Sequence, residues 1–357
     1  MTMFAQVQCP DFIPGDQLDR YLDRGWFRMG QTIFTTSFLN FKSQFYNAIW
    51  LRIPLDKFIP GTTQKKLFKR NSRFKIVIQK AEVTSEKEAI FSAYRQSVSF
   101  EASASVRTLL YGRSDKDIYN TQEVNLYDGD KLIAVGVFDV GKKSAAGISS
   151  FYDPSYKKFS LGKYLIYLKL EYCKKLGIEY FYPGYFVPGY PLFDYKLDVG
   201  GECLEFLESS TQTWKPISGF SAEGSPLHVM TTKLETLQQC LSDLGVVSKI
   251  MKYEFFDANL IPELEGIVLF DYPIFLSCND LPEETPVVFD VRDNLFHWTR
   301  CKSVWASSTA GSHPDMYSTH VLKHHQDLFT TPSPSTLANI ISDEIAVSRN
   351  FLRTKII

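Results

Sequence analysis

Hydrophobic and polar positions follow their clearest pattern between residues 122 and 187. The stretch "QEVNLYDGDKLIAVGVFDVG" predicts an antiparallel hairpin, because Asp-Gly separates two runs typical of strands. A strand, "SAAGISSFYDP", a helix, "SLGKYLIYLKLEYCKKLG", and a further strand, "IEYFYPGYFV", follow. This order predicts an α+β layer in which a helix packs on a mixed sheet.

Three helices and three strands are predicted before this region. The helices are expected at 15–25, 62–71 and 85–98, and the strands at 31–41, 45–55 and 74–81. Their caps are assigned to side chains that accept amide hydrogens: Asp16 in the first helix, Thr62 or Thr63 in the second, and a Ser85–Glu88 capping box in the third.

Beyond residue 220 the composition becomes acidic. A helix is predicted in "TKLETLQQCLSDLG", strands in "PVVFDVRDNLFHWT" and a loop in "TTPSPST". His320 and His324 are four residues apart, which would place them on one face of a helix, but no H-E-x-x-H pattern accompanies them, so a solvated helix is favoured over a metal site.

The chain is therefore divided into three parts. We expect an N-terminal segment at 1–75, a core at 76–220 and an acidic C-terminal α/β extension of unknown role at 221–357.

Composition narrows the class of protein. With 44% hydrophobic and 15% aromatic residues, the 357-residue chain can bury large cores and is not disordered. No apolar run is long enough to predict a membrane span, and the N-terminus does not read as a secretory signal. The six cysteines form no C-x-x-C pair, which is typical of reduced thiols in a cytoplasmic protein.

Charge is distributed unevenly. Residues 1–175 hold 27 Lys+Arg and 17 Asp+Glu, and the remaining residues hold 12 and 23. A basic half suggests contact with a polyanion, although two ordinary domains of opposite charge would show the same pattern.

The segment "FYDPSYKKFSLGKY" (151–164) is the first candidate site. Ser160 is predicted to cap the helix that follows, and Gly162 leaves the backbone open to close approach. The free amides of a helix start attract a phosphate or a polarised carbonyl. The alternative is an ordinary strand-to-helix turn with solvated lysines.

Two further clusters follow the same logic. The basic residues of "TTQKKLFKRN" (62–71) fall largely on one helical side and suit a phosphodiester backbone, or form a solvated face. The tyrosines of "YPGYFVPGYPLFDYK" (182–196) suit a slot for an aminoacyl group or a terminal base, or an aromatic core.

Five segments in order carry a resemblance to a known family. They are "YLDRGWFRMG", "FIPGTTQKKLFKRN", "KLIAVGVFDV", "FYDPSYKKFSLGKY" and "GYFVPGYPLFDYK". Over roughly residues 9–220 the chain resembles the arginyl-tRNA–protein transferases and their bacterial leucyl-transferring relatives of the N-end rule pathway.

The resemblance implies a GNAT-like acyltransferase core. It also implies transfer of Arg or Leu from aminoacyl-tRNA to the α-amine of proteins with acidic N-termini, in the cytoplasm and with no cofactor. A CoA-dependent acyltransferase is the less favoured reading, because "FSLGKY" holds one Gly where CoA enzymes carry a longer Gly-rich loop.

Roles for individual residues are hypotheses built on this resemblance. Asp139 or Asp153 would assist deprotonation of the amine, and residues 160–162 with Tyr185 or Tyr195 would stabilise the oxyanion. The residues expected to bind tRNA or the acceptor are Lys65, Lys66, Arg70, Asn71, Ser160, Leu161, Gly162 and Lys196.

Two departures from the family pattern affect these expectations. The cysteine cluster usual in the N-terminal segment is missing, so we predict no metal site. The family's Pro-Lys-Met has become "PLF" (191–193), which removes a lysine. An adaptor that binds tRNA or acidic N-termini without catalysis is therefore an alternative.

Overall fold

The computed structural model describes residues 3–306 and 314–354 as a mixed α/β molecule of nineteen strands and eight helices. The strands are β1 Ala5–Gln8, β2 Phe27–Met29, β3 Thr32–Thr36, β4 Phe38–Phe41, β5 Gln44–Asn47, β6 Ile49–Pro54, β7 Lys75–Lys80, β8 Thr121–Asp128, β9 Lys131–Val140, β10 Ser144–Tyr152, β11 Tyr180–Phe186, β12 Glu205–Glu208, β13 Thr213–Pro216, β14 Ser248–Tyr253, β15 Ile274–Cys278, β16 Val287–Asp290, β17 Leu295–Ala306, β18 Met316–Tyr317 and β19 His320–Thr331. The helices are α1 Gly15–Asp23, α2 Thr62–Asn71, α3 Ser85–Ser97, α4 Val106–Tyr111, α5 Leu161–Lys175, α6 Tyr195–Gly200, α7 Pro226–Asp243 and α8 Pro334–Thr354.

An eight-stranded sheet occupies the middle of the chain, in the order β13-β12-β6-β11-β10-β9-β8-β7. The predicted hairpin is confirmed as β8 and β9, and Gly129 turns between them with φ of 64°. β10, α5 and β11 follow as predicted, and β10 and β11 run parallel. The helix α5 buries Leu161, Leu165 and Leu168 against this sheet.

The parallel pair β10–β11 holds together over a short distance. Ser144, Ala145 and Ala146 pair with Tyr180, Phe181 and Tyr182, and the two strands then separate. A bulge lies between Gly147 and Ser149 of β10, where the strand's register against β9 shifts. Bulges bend the strand that carries them, so this one marks the point where the sheet opens toward the start of α5.

A second, six-stranded sheet forms the C-terminal part, in the order β18-β14-β15-β16-β17-β19. Its hydrophobic core contains residues from the other end of the chain, because Phe4 and Phe38 are buried within it. The carboxylate of Asp271 accepts the amide hydrogen of Phe4 at 2.5 Å. The first strand is thus fastened to the last third of the molecule.

The N-terminal prediction needs two corrections. The expected strands 31–41 and 45–55 are each two strands, broken at Ser37 and Ala48. β6 lies inside the eight-stranded sheet between β12 and β11, whereas β1, β3 and β2 form a three-stranded sheet of their own and β4 pairs with β5 alone.

The predicted caps are corrected as well. Asp16 lies within the first turn of α1, after the capping position at Pro14, and Gly61 stands before α2. The cap of α3 is Thr84, whose hydroxyl accepts from the amide of Lys87. Glu88 turns away from its own helix and accepts the amides of Val106 and Arg107 at 2.9 Å, which caps α4.

The helix predicted around His320 and His324 is wrong. These residues belong to β19, which pairs with β17 along its length. A spacing of four residues fits one face of a strand as well as one face of a helix, and the partner strand decides between them. The predicted loop at 330–336 is also shorter, since β19 ends at Thr331 and α8 begins at Pro334. Across the described residues, no helix combines the length and apolarity needed to cross a bilayer.

Candidate active site

Side chains from three elements meet where the sheet opens. The ring of Tyr152, at the end of β10, lies 5.3 Å from the ring of Tyr94 of α3. A Cβ on Gly162, in the first turn of α5, would stand 3.6 Å from the ring of Tyr152. Tyr195, the first residue of α6, is 47% exposed, and partial burial with a smaller effect of Tyr94 raises the pKa of its hydroxyl. Gly162 and Tyr195, both predicted from the sequence, are thus linked by two tyrosines that the prediction missed.

The start of α5 presents free amides. The first hydrogen bond of the helix joins the amide of Tyr164 to the carbonyl of Ser160 at 3.1 Å. Among the hydrogen bonds of the described residues, none engages the amides of residues 161–163. Ser160 has φ of 53° and makes no capping bond through its side chain, so the expected hydroxyl cap is wrong. Leu161 is buried in the core as a whole residue, so the accessible amides of this turn are those of residues 162 and 163.

The basic helix α2 is fixed beside this helix start. Arg70 and Asn71 both donate to the carbonyl oxygen of Phe159, at 2.7 and 3.1 Å. Asn71 is fully buried, which suits a structural brace better than a ligand contact. Lys65 and Lys66 are exposed and form no salt bridge within the described part of the chain. From the sequence, all of these residues are expected to bind tRNA or the acceptor. In the structure, Arg70 and Asn71 hold α2 against Phe159, whereas the two lysines are exposed.

Lys196 is the most unusual charge in this region. It is 9% exposed, and its Nζ donates to the carbonyl of Tyr185 at 2.6 Å. The rings of Tyr185 and Phe193 lie 5.1 and 5.0 Å from the ammonium. No carboxylate of the described residues pairs with it, and burial lowers the pKa of Lys196 to about 7.

Gly184 makes room for this ammonium. A Cβ there would stand 3.3 Å from the Nζ of Lys196, and the φ of 87° disfavours other residues. Tyr185, which follows, packs edge-on against Trp50, and burial raises the pKa of its hydroxyl. Its hydroxyl therefore stays protonated and can act as a hydrogen-bond donor.

Asp139 lies apart from this site. Its side chain is fully buried in β9, where Arg28 donates to it at 2.8 Å and Thr121 at 2.7 Å. Burial raises the pKa of Asp139, and Arg28 opposes that effect. A carboxylate enclosed in this way does not reach an incoming amine. The ion pair joins β2 to the central sheet, which gives Asp139 a structural part in place of the expected catalytic one.

Asp153 is also committed to the fold. Its oxygens accept from Lys131 at 2.7 Å and from the amide of Ser155 at 2.9 Å, which caps the short 3₁₀ helix Pro154–Phe159. Although partial burial opposes them, these donors hold the pKa of Asp153 below its usual range. A weak base with both oxygens engaged does not suit amine deprotonation.

The sequence prediction missed Lys169. This residue of α5 is fully buried, and its Nζ donates to the carbonyls of Val137 at 2.9 Å and Ser149 at 2.7 Å. Those carbonyls flank the bulge of β10, where the register with β9 shifts. A signal was present, because a lysine interrupts the apolar run of a helix that is otherwise set against the sheet.

A metal could be considered at one cluster of the described residues, in the C-terminal sheet. Ligand atoms of Asp290, Asp293 and His297 lie within 4.8 Å of one another. The Asp290 carboxylate is already engaged by the Arg292 guanidinium at 2.5 Å and by the Tyr272 hydroxyl at 2.8 Å. The group fits a salt-bridge network better than a metal centre.

Comparison with known proteins decides the family. The family model described as arginine-tRNA-protein transferase, C terminus, matches residues 78–204. The aspartate/glutamate leucyltransferase of Leptospira interrogans is 35% identical over 192 residues, covering 52% of this chain and 73% of that protein. The chain belongs to this family of aminoacyl-tRNA–protein transferases. The leucyltransferase of Paracoccus denitrificans is 27% identical, with 50% of this chain and 68% of that protein covered. The expected resemblance is confirmed.

Solved structures are similar to this transferase family member to a lesser degree. The C-terminal domain of a putative lysylphosphatidylglycerol synthetase from Agrobacterium fabrum aligns with a TM-score of 0.34 and 13% identity, over 47% of this chain and 58% of that one. The ribosomal-protein-S18-alanine N-acetyltransferase of Escherichia coli aligns with a TM-score of 0.22 and 20% identity, over 29% and 63%. At these scores neither similarity bears on the fold.

Proposed function

We propose that the chain transfers Leu or Arg from aminoacyl-tRNA to the α-amine of proteins with N-terminal Asp or Glu, which marks them for degradation. The matched relatives are named aspartate/glutamate leucyltransferases, and the family model names arginine-tRNA. Charged tRNA is the co-substrate, so the reaction needs no further cofactor and belongs in the cytoplasm.

The residues at 76–220 are proposed as a GNAT-like core, with 221–357 as an added unit. An antiparallel hairpin, a strand, a helix and a parallel strand follow in that order. The parallel pairing ends at Ala146, and the far end of β10, at Tyr152, lies beside the start of α5. This opening supplies a place for an acyl group next to free helix amides.

The observation that carries the proposal is the unpaired ammonium of Lys196. A buried charge without a counter-charge is costly, and an anionic ligand would remove that cost. The carboxylate side chain of an N-terminal Asp or Glu has the required charge and lies close to its own α-amine. We therefore assign Lys196 to the acidic side chain of the acceptor and not to tRNA phosphate.

The chemical step is aminolysis of an ester. The neutral α-amine attacks the carbonyl carbon of the aminoacyl ester, and the ribose oxygen of the tRNA leaves when the tetrahedral intermediate collapses. The amine proton passes through water to that oxygen. An α-amine titrates near 8, so a useful neutral fraction exists without a dedicated base. Placement of the two substrates then supplies much of the acceleration.

The oxyanion of the intermediate is assigned to the helix start. The amides of residues 162 and 163 are partly exposed and have no other partner among the described residues, and they carry the positive end of the α5 dipole. Tyr195 and Tyr152 border the same opening and can donate a hydroxyl hydrogen or stack on the terminal adenine. Lys65 and Lys66 would meet tRNA phosphates from the adjacent helix α2.

The proposal is tested by incubating the protein with labelled leucyl- or arginyl-tRNA and peptides that begin with Asp, Asn or Ala. Transfer is expected with Asp and not with Asn or Ala. Lys196→Met should raise the KM for the Asp peptide by at least tenfold while leaving the KM for tRNA unchanged. Lys196→Arg should restore part of the affinity. Lys175→Met, which removes an exposed lysine of α5, is the matched control.

No transfer with either charged tRNA would contradict the enzymatic proposal. It would favour an adaptor that binds tRNA or acidic N-termini without catalysis, and one feature of the chain supports that alternative. Leu192 stands where the family carries a lysine, and it is 40% exposed. An adaptor would still bind tRNA or Asp-starting peptides, which titration of each with the protein would detect.

A further inference from the structure

A two-stranded ribbon lies at the edge of the C-terminal sheet, with one face exposed. Residues 301–306 of β17 pair with residues 320–324 of β19, and β19 is the edge strand of its sheet. On the other side, the amides of Thr299 and Cys301 donate to the carbonyls of Pro286 and Glu284 at 3.0 and 2.7 Å, and among the described residues this backbone contact ends at Cys301. Residues 302–306 are all exposed. We call residues 301–306 and 320–324 the β17–β19 ribbon.

Two like charges of the ribbon face each other across its strands. Lys302 lies directly opposite Lys323, and like charges at such positions destabilise a pair of strands. Arg300 is exposed next to them. No salt bridge within the described residues involves these three cations. They lie in the half of the chain where Asp and Glu outnumber Lys and Arg, so composition does not account for them.

An aromatic side chain shares this surface. Trp305 is 49% exposed and lies opposite Val321, two residues from Lys323 along β19. Successive residues of a strand alternate between faces, so Val321 and Lys323 share one face, and their partners Trp305 and Lys302 lie on it too. The intervening Leu322 points into the core and is fully buried.

We propose that the β17–β19 ribbon binds RNA, and that in this protein it holds the body of the aminoacyl-tRNA. Lysines on an exposed face attract phosphates, and an exposed indole stacks on a base. An anion between Lys302 and Lys323 would relieve their repulsion. The identity of the RNA as tRNA rests on the proposed function, whereas the ribbon's preference for RNA stands on its own residues.

The experiment measures binding of uncharged tRNA to the full chain by fluorescence anisotropy at several salt concentrations. Lys302→Ala with Lys323→Ala should weaken binding about tenfold and reduce the slope of log K against log salt by 1–2. Trp305→Ala should weaken binding about fivefold or more with the slope unchanged, because stacking releases no counterion.

A matched control removes two exposed cations elsewhere, by Arg113→Ala with Lys175→Ala. If the ribbon variants have the same tRNA affinity and the same salt slope as this control, the proposal is overturned. The exposed Trp305 would then be assigned to a protein partner. Because the substituted side chains are exposed, circular dichroism and melting should match the wild type.

Transfer activity is assayed separately on the same variants. A protein that transfers an amino acid but binds tRNA independently of the ribbon retains the proposed function and loses this inference. If no amino acid is transferred and tRNA binding still depends on the ribbon, the proposed function is lost and this inference is retained. At saturating tRNA the ribbon variants should transfer at the wild-type rate.

Discussion

The Nζ of Lys169 lies 2.7 Å from the carbonyl oxygen of Ser149, at the bulge where the central sheet opens. The same ammonium donates to Val137 across the strand pair and to the hydroxyl of Ser150. A Cβ at Gly136 would approach the side chain of Lys169 to 2.7 Å, so the glycine is needed to admit it. The lysine therefore supplies the donors that the irregular sheet lacks.

Loss of this ammonium should destabilise the core. Lys169→Met leaves two buried carbonyls without a donor, and we expect the free energy of unfolding to fall by about 2–5 kcal/mol. Urea titration followed by circular dichroism measures the change. The exposed Lys175→Met should stay within about 0.5 kcal/mol of the wild type. Equal stability of both variants would contradict the role given to Lys169.

The buried lysines also make stability depend on pH. Burial lowers the pKa of Lys169 and of Lys196 to about 7, from 10.5 in an unfolded chain. Between these values the unfolded state binds more protons, so the free energy of unfolding should rise with pH, by about 1.4 kcal/mol per pH unit for each lysine. Urea midpoints between pH 7 and 10 should rise less steeply in Lys196→Met. If the urea midpoints of the wild type and of Lys196→Met rise equally with pH, the lowered pKa of Lys196 is refuted.

Asp139 offers a test between structural and catalytic roles. Asp139→Asn leaves the Arg28 guanidinium buried without a counter-charge, which should cost about 3–5 kcal/mol of stability. The transfer rate per folded molecule should remain near that of the wild type, measured below the unfolding transition. A large loss of kcat in folded protein would restore Asp139 to the reaction.

A substitution at Gly162 should change stability and activity in opposite directions. The position has ordinary van der Waals room for a Cβ, so Gly162→Ala should fold and gain up to about 1 kcal/mol. The added methyl group narrows the approach to the free amides of α5, and we expect transfer to fall by at least tenfold. Gly219→Ala, where no atom lies within 4 Å of the new Cβ, is the control. Full activity of Gly162→Ala would place the acyl group elsewhere.

The sequence predicted the central elements because their periodicity is strong and local. β8, β9, α5 and β11 were expected from alternation, an Asp-Gly turn and a terminal glycine. Predictions that depend on distant partners were less successful. The strand β19 is decided by pairing with β17, and Glu88 caps a helix eighteen residues further along the chain.

The candidate site residues divide in the same way. Gly162, Tyr195 and Lys196 were named from local motifs; Gly162 lies in the first turn of α5 beside Tyr152, Tyr195 and Lys196 begin α6, and their roles stay predictions. Tyr94 and Lys169 were missed, because their parts depend on contacts that only the folded chain creates. Asp139 was named as a carboxylate that could assist deprotonation of the amine, and its burial with Arg28 is a tertiary property.

The burial of Phe4 and Phe38 in the C-terminal core constrains synthesis of the protein. The ribosome releases these two rings early, yet residues that cover them, among them Phe256 and Tyr272, are translated later. During the interval both rings remain without their native cover, and a chaperone that shields emerging apolar segments has a defined place to act. Truncation of the last third would make that interval permanent.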